Sequence, residues 1–189
     1  MRHTLLFLFI FILSFSQVFS QDTTFVQVHF LFGSRPKGKF KQSEEKWFGG
    51  KIGGHVGIEL EPDQVVNFIP YGKFHWVEKK YDRHSKFTIH SNKAFWEIMG
   101  GPSDKVKKAS VIIPVSTHQK SILDSLSQAY IKNTPYDYAF IGMRCGSATY
   151  DLLAEAGILK KFSHRKTYLK IIYPKKLRKR LYKKAYQYQ

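Results

Sequence analysis

The sequence contains a single cysteine, Cys145, so no disulfide can form within the chain. A domain stapled by disulfides is therefore excluded, and burial of a hydrophobic core must hold the fold together. The sequence has no internal repeat, no low-complexity tract and no phosphate-binding glycine loop. It also lacks the His, Cys, Asp and Glu spacings that are typical of metal sites. We predict neither a metal nor a cofactor.

No apolar run is long enough to span a bilayer, which takes about 20 residues. The longest run covers residues 4–15, after a basic start at Arg2. Small or modest side chains then stand at the two positions that a signal peptidase reads, Val18 and Ser20, before Gln21. This order is typical of a secretory signal peptide over residues 1–20. We therefore expect an exported protein (periplasmic, cell-envelope or secreted). A membrane anchor is the alternative interpretation of the same segment.

Negative charge is scarce. The chain has 14 acidic against 31 basic residues, and its formal net charge is +17. Such a surface favours anionic partners, among them cell-wall polymers, phospholipid head groups and nucleic acid, and export disfavours nucleic acid. The alternative is that the charge only keeps the protein soluble.

Segments rich in β-branched and aromatic residues predict a set of strands in the first 115 residues. The predicted strands cover residues 24–32, 55–61, 65–69, 74–77, 87–90 and 109–115. Residues 33–51 form a long, polar and basic loop, and loops of that length are often functional.

Helical patterns come later in the chain. Ser116 and Gln119 form a capping box that opens one helix. A second helix is predicted over 146–156, and Gly157 suits its C-terminal cap. Because the strands come first and the helices after them, the sequence predicts one α+β domain over residues 21–160.

Residues 161–189 are densely basic and predict a C-terminal tail that contains a final helix. Pro174 suits the start of that helix, and Leu177 and Leu181 stand four apart, so they could dock it on the body. One interpretation of the tail is electrostatic contact with an anionic membrane surface. The other is a solvated helix with a thin apolar stripe.

Cys145 stands where a linker enters the second helix, and His55 begins a strand after two glycines. Backbone N–H groups and the helix dipole at a helix start lower a thiol pKa, and the thiolate is the nucleophile. In a Cys–His pair the imidazole takes the thiol proton. The alternatives are a small buried hydrophobe for Cys145 and a structural histidine for His55, which is one of eight.

Four short motifs occur in an order that resembles a known family. Gly-Gly-His55-Val-Gly-Ile-Glu-Leu is followed by Val-Val-Asn67-Phe-Ile-Pro, then by Tyr136-Asp-Tyr, then by Cys145-Gly-Ser-Ala-Thr-Tyr-Asp-Leu-Leu. This order resembles the circularly permuted papain-like (NlpC-type) cysteine hydrolases, especially their YiiX-like amidase branch. The resemblance spans residues 28–159. It implies an antiparallel sheet packed against helices, and thiol chemistry on an amide or ester through an acyl-enzyme.

The resemblance also implies roles for three residues. Cys145 matches the nucleophile, His55 the base, and Asn67 the polar residue that orients the imidazole. A tight two-residue turn after Glu61 would, however, put Asn67 on the sheet face away from His55, so the pair requires a bulge or a shifted turn. Glu59, on the same strand face as His55, is the alternative third member.

Three further residues are candidates for oxyanion or substrate contacts. Tyr136 matches a tyrosine that assists the oxyanion in NlpC-type enzymes. Gly146 and Ser147 directly follow the nucleophile, where many relatives have Ser or Glu, so this chain departs from the family there. Backbone N–H groups at the helix start would supply the remaining oxyanion donors.

The predicted function is thiol-dependent hydrolysis of an amide, in cell-wall peptide or in a lipid-linked substrate. Two alternatives stay open. One is a lipid acyltransferase or thioesterase of the same fold. The other is a non-catalytic module that binds anionic polymer through the basic tail, which predicts an ordinary thiol pKa and no proximity of Cys145 to His55.

Overall fold

The computed structural model describes residues 22–32, 54–99, 102, 104 and 107–186. The predicted signal peptide, residues 1–20, and the predicted loop at 33–51 lie outside the described residues.

In the part of the chain that the structure describes, seven strands form two sheets, in agreement with most of the predicted strands. Their bounds are β1 Thr23–Phe32, β2 Gly54–Glu61, β3 Gln64–Pro70, β4 His75–Val77, β5 Ser85–His90, β6 Lys108–Ser116 and β7 Ala139–Ile141. The main sheet is antiparallel in the order β5-β3-β2-β1-β6, and β4 pairs in parallel with β7. The β7 strand lies in a segment that the sequence indicated as a linker.

Five helices accompany the sheets over the described residues. Their bounds are α1 Asn92–Glu97, α2 Thr117–Lys132, α3 Cys145–Glu155, α4 His164–Lys170 and α5 Pro174–Tyr186. The capping box of Ser116 and Gln119 is confirmed at the start of α2, and Gly157 follows α3 with a φ of 70°. Over the described ranges, no helix has both the length and the apolar character that a membrane crossing requires.

Alternate residues of β2 pack on opposite faces of the main sheet. Val56 and Ile58 lie in the main core, which also contains residues of α2, α3 and α5. His55 and Gly57 face the other way, where the Phe95 ring of α1 covers them. The predicted α+β fold, with an antiparallel sheet packed against helices, is confirmed, and helices cover both faces of the sheet.

The turn between β2 and β3 determines how the residues of these two strands pair, which could not be predicted from the sequence. Glu61 pairs with Gln64 across a two-residue turn, and a β-bulge then shifts the pairing so that Gly57 lies opposite Asn67. Because Gly57 and His55 share a face, Asn67 comes to the same face as His55. The bulge is the irregularity that a His55–Asn67 pair requires.

The basic tail packs on the body of the domain. Leu177 and Leu181 of α5 are fully buried in the main core, together with Ile171, which follows α4. The predicted docking through Leu177 and Leu181 is therefore confirmed. A Cβ atom built on Gly146 would lie 3.2 Å from the Pro174 nitrogen, so the absence of a side chain at Gly146 lets the start of α5 approach α3 closely.

Candidate functional site

Cys145 is the first residue of α3, and its thiol lies against the backbone on either side of His55. The sulfur is 3.7 Å from the carbonyl oxygen of Gly54, to which the thiol donates. It accepts hydrogen bonds from the Val56 N–H and the Tyr138 hydroxyl. Since Gly54 and Val56 flank His55 in β2, the fold brings Cys145 next to the strand segment that carries His55.

The sheet leaves space for the sulfur at this point. Pairing between β2 and β3 begins only at Gly57 and Asn67, so Gly54–Val56 has no partner in β3. In a strand, the C=O of one residue and the N–H of the residue two positions on point to the same side. The Cys145 sulfur therefore occupies the place of a missing strand partner, and this explains why the start of α3 lies against the sheet there.

The thiol of Cys145 is neutral in this structure. Burial raises its pKa, and this effect exceeds the opposing hydrogen bonds from Tyr138 and Gly146 and the positive charge of Arg144. The helix start lowers the thiol pKa as expected, through the Gly146 N–H, but burial outweighs this effect, so the expected net decrease is wrong in sign. The side chain is 3% exposed, and that degree of burial could not be read from the sequence.

His55 is a buried, neutral imidazole held by one strong polar contact. Its Nε2 atom lies 3.0 Å from Oδ1 of Asn67. Burial lowers the pKa of His55 to about 4, more than the hydrogen bond to Asn67 raises it, and the nearby His90 lowers it further. Because the amide oxygen only accepts, the ring proton resides on Nε2, and Nδ1 keeps the lone pair that a general base needs.

The amide of Asn67 is oriented by partners of its own. Its nitrogen donates to Nδ1 of His90 at 2.9 Å and to the carbonyl oxygens of Val65 at 3.2 Å and Thr88 at 3.4 Å. These acceptors leave the amide oxygen to face His55. His90 received no role from the sequence, because its position beside Asn67 depends on the pairing of β3 with β5.

The thiol of Cys145 lies beside the backbone next to His55, but it does not contact the imidazole through a hydrogen bond. Within the described part of the chain, no hydrogen bond links the thiol to the imidazole, and the thiol proton is directed to the Gly54 carbonyl. The His55 ring lies on the α1 side of the sheet, 5.5 Å from the Phe95 ring, whereas α3 packs on the other side. A productive pair requires the thiol to turn from Gly54 toward Nδ1 of His55.

The tyrosine that contacts the Cys145 sulfur is Tyr138. The hydroxyl of Tyr136, which the family motif suggested, donates instead to Asp151 at 2.7 Å. Tyr138 is 2% exposed, and its hydroxyl donates to the Cys145 sulfur. The oxyanion role of Tyr136 stays a prediction, and the observed contacts favour Tyr138 for it.

Gly146 and Ser147 shape the start of α3. The Gly146 N–H donates to the Cys145 sulfur, so it is close enough to serve an oxyanion. The Ser147 hydroxyl accepts the Arg144 N–H at 2.8 Å and donates to the Arg144 carbonyl at 3.0 Å. Ser147 is fully buried and caps the helix through these bonds, whereas the predicted substrate contact of Ser147 stays a prediction.

Glu59, the alternative third member, belongs to a second network on the α1 face of the sheet. It accepts from Nε2 of His29 at 3.0 Å and from the Asn92 amide at 2.8 Å, and Nδ1 of His29 lies 2.7 Å from the Ser110 hydroxyl. This network ties α1 to β1, β2 and β6. Because Glu59 forms its hydrogen bonds within this network, it is Asn67 that contacts His55.

Three potential metal ligands, His75, Asp82 and His84, converge within 4.8 Å of one another among the described residues. Nδ1 of His75 donates to buried Asp137 at 2.6 Å, which leaves Nε2 free to bind a metal. His84 does not suit that role, because its Nδ1 accepts the Lys73 N–H at 2.7 Å. The neutral ring then carries its proton on Nε2 and donates it to Asp82 at 3.1 Å. These hydrogen bonds account for the cluster without a metal.

Comparison of the chain with protein-family models, with curated proteins and with solved structures found no match.

Proposed function

We propose that the protein is an exported cysteine hydrolase of the circularly permuted papain-like type, with amide bonds as its substrate class. The observation that carries the proposal is the 3.0 Å contact of His55 Nε2 with Asn67 Oδ1, beside a cysteine that opens a helix. The order of His, Asn and Cys along the chain, and their placement on two adjacent strands and a late helix, agree with the permuted layout.

The proposed chemistry has two stages, the acylation of Cys145 by the substrate and the hydrolysis of the resulting thioester. The Cys145 sulfur attacks the amide carbonyl carbon while Nδ1 of His55 takes the thiol proton. The resulting oxyanion is stabilised by backbone N–H groups at the start of α3 and by the Tyr138 hydroxyl. The C–N bond breaks as His55 returns the proton to the leaving amine. Water, deprotonated by His55, then attacks the thioester carbonyl, the C–S bond breaks, and His55 returns the proton to the Cys145 sulfur as the acid is released.

The Cys145 thiol and the His55 imidazole are both neutral before substrate binds, and this determines how the thiol is activated. The pKa of Cys145 is raised and that of His55 is lowered to about 4, so a preformed thiolate–imidazolium pair is disfavoured. Proton transfer therefore accompanies attack, with His55 as a general base. The substrate itself must turn the thiol away from the Gly54 carbonyl.

A second candidate function is a non-catalytic module that binds anionic polymer. Two observations favour it: the raised pKa of the Cys145 thiol, and the absence of a Cys145–His55 hydrogen bond among the described residues. The two candidates differ in what they predict for Cys145, because only the hydrolase requires its sulfur.

Digestion of candidate substrates with matched proteins tests the proposal. Cell-wall peptide and lipid-linked amides would be incubated with the native protein and with Cys145→Ala, and new amine ends would be quantified. The hydrolase predicts release by the native protein alone. Transfer of the acyl group to an added amine or alcohol, rather than to water, would indicate the acyltransferase. Polymer binding by both proteins without release would establish the binding module.

A further inference from the structure

Acidic residues are confined to the first part of the chain. All 14 precede residue 156, whereas residues 156–189 contain 12 lysines and arginines and no acid. A charge that served solubility alone has no need to be segregated in this way. The segregated charge points to a surface with a specific anionic partner.

The α5 helix presents one row of this charge on a fixed scaffold. Leu177 and Leu181 are buried in the core, and Lys175, Lys179 and Lys183 are exposed on the opposite side. The three lysines stand four residues apart, so they lie above one another on the helix. Like charges at this spacing destabilise a helix. No carboxylate pairs with any of the three within the described ranges.

The α4 helix adds cations to the same surface. Lys166 and Lys170 of α4 and Arg180 of α5 converge on the ring of Phe162, at 5.5, 5.0 and 5.5 Å from its centroid. None of these three cations takes part in an ion pair in the described structure. Two helices therefore bring unpaired cations together around one aromatic ring, and an anionic partner would relieve their repulsion.

Apolar side chains stand among these cations. Leu169, between the exposed cations of α4, is 53% exposed, and Tyr182 of α5 is 38% exposed. An exposed leucine forms no hydrogen bond with phosphates or base edges, whereas apolar and tyrosine side chains beside lysines are typical of surfaces that lie on membranes.

We propose that α4 and α5 form a docking surface for an anionic lipid bilayer. The row of Lys175, Lys179 and Lys183, with the cations around Phe162, contacts the head groups, and Leu169 enters the interface. Because α5 begins against Gly146, the docked surface holds the start of α3 near the membrane. The surface is independent of any thiol chemistry at Cys145.

Vesicle binding of the protein from Gln21 onward, without the predicted signal peptide, tests this proposal. Phosphatidylcholine vesicles with and without phosphatidylglycerol would be sedimented with the native protein and with a Lys175→Gln, Lys179→Gln, Lys183→Gln variant. Each basic residue near an anionic surface contributes roughly a fivefold increase in partitioning, so the variant should bind anionic vesicles on the order of 100-fold more weakly. Raising the salt from about 0.1 M to about 1 M should weaken binding of the native protein strongly.

A charge-matched control removes three exposed lysines elsewhere, by Lys73→Gln, Lys93→Gln and Lys132→Gln. This control should bind anionic vesicles within about threefold of the native protein. An equal loss in the control, or equal binding of the native protein to neutral vesicles, would overturn the proposal. All three proteins begin at Gln21, so the apolar residues 4–15 of the predicted signal peptide do not contribute to binding.

A further variant distinguishes a lipid bilayer from a nucleic acid as the partner of this surface. Leu169→Ser should weaken binding to anionic vesicles by about fivefold or more, because an apolar contact with the interface is lost. The same variant should leave binding to polyuridine unchanged. Two results together would identify a nucleic-acid surface and contradict the proposed bilayer contact. The native protein would bind polyuridine more tightly than vesicles at equal salt, and Leu169→Ser would not change binding to vesicles.

Discussion

Nε2 of His55 lies 3.0 Å from Oδ1 of Asn67, and this contact determines which nitrogen of the imidazole can act as a base. The amide oxygen accepts the proton of Nε2, so the lone pair resides on Nδ1. The contact itself depends on a β-bulge at the end of β2, which turns Asn67 to the face of His55. A backbone irregularity thus decides the protonation geometry of the candidate site.

Asn67→Ala should slow acylation of Cys145 by about 10²-fold, because the imidazole loses its orientation. It should also lower the free energy of unfolding by about 1–3 kcal/mol, since a buried ring nitrogen loses its partner. Acylation kinetics and urea unfolding would measure the two effects. Asn92→Ala is the matched control, because Asn92 bonds Glu59 and has no contact with His55. Equal rates in the native protein and Asn67→Ala would remove Asn67 from the mechanism.

Acid should destabilise the protein through His55. Its pKa in the folded state is about 4, below the ordinary 6.5, so below pH 6.5 the unfolded chain takes up a proton that the folded protein does not. Stability is therefore fully present above pH 6.5 and is lost as the pH falls toward 4. The loss amounts to about 3 kcal/mol.

Urea unfolding at several pH values would test this prediction, with His55→Gln as the comparison. Burial lowers the pKa of His29 and His90 as well, so the native protein loses stability through several groups. The difference between the native protein and His55→Gln isolates His55. Identical pH dependence in the two proteins would show that His55 is not the group responsible.

Gly57→Ala should destabilise the sheet and disturb the site at once. An added Cβ would lie 2.5 Å from Cγ1 of Val65 and 2.8 Å from Cε2 of Phe95, the ring that covers His55. Overpacking of this kind costs about 1–3 kcal/mol. Gly157→Ala is the contrasting variant, because its Cβ meets only Nε2 of Gln119 at 3.9 Å, an ordinary contact, and its cost comes from the φ of 70°. A Gly57→Ala protein as stable as the native one would contradict the packing described around His55.

Leucine truncations should show that the basic tail is part of the core. Leu181 is fully buried and Leu169 is 53% exposed, so Leu181→Ala should cost about 2–5 kcal/mol and Leu169→Ala less than about 0.5 kcal/mol. Thermal unfolding of both variants measures the difference. Similar melting temperatures would mean that α5 contributes little to the stability of the domain.

Long, patterned segments of this fold could be predicted from the sequence, and several of the short ones could not. The alternation in β2 and the capping box of α2 carry local signals that tertiary packing did not override. In contrast, α1 and α4 have six and seven residues and β7 has three. Segments so short hold too few residues for a periodic pattern, and their structure depends on what they pack against.

The candidate site shows the same division. Cys145, His55 and Asn67 could be identified from motif order, whereas the bulge that joins Asn67 to His55 is a property of the folded turn. The contacts of His90 and Tyr138 depend on packing between distant segments. The sign of the thiol pKa shift was mispredicted because burial, which dominates it, is set by the whole domain.

Acylation of the protein by a small activated ester such as p-nitrophenyl acetate tests the central claim most directly. Mass spectrometry would locate the adduct and follow its formation in the native protein, Cys145→Ala and His55→Gln. General-base catalysis by His55 predicts one adduct on Cys145, no adduct in Cys145→Ala, and a rate at least about 10²-fold lower in His55→Gln. Formation of the Cys145 adduct at the same rate in the native protein and His55→Gln would contradict the account.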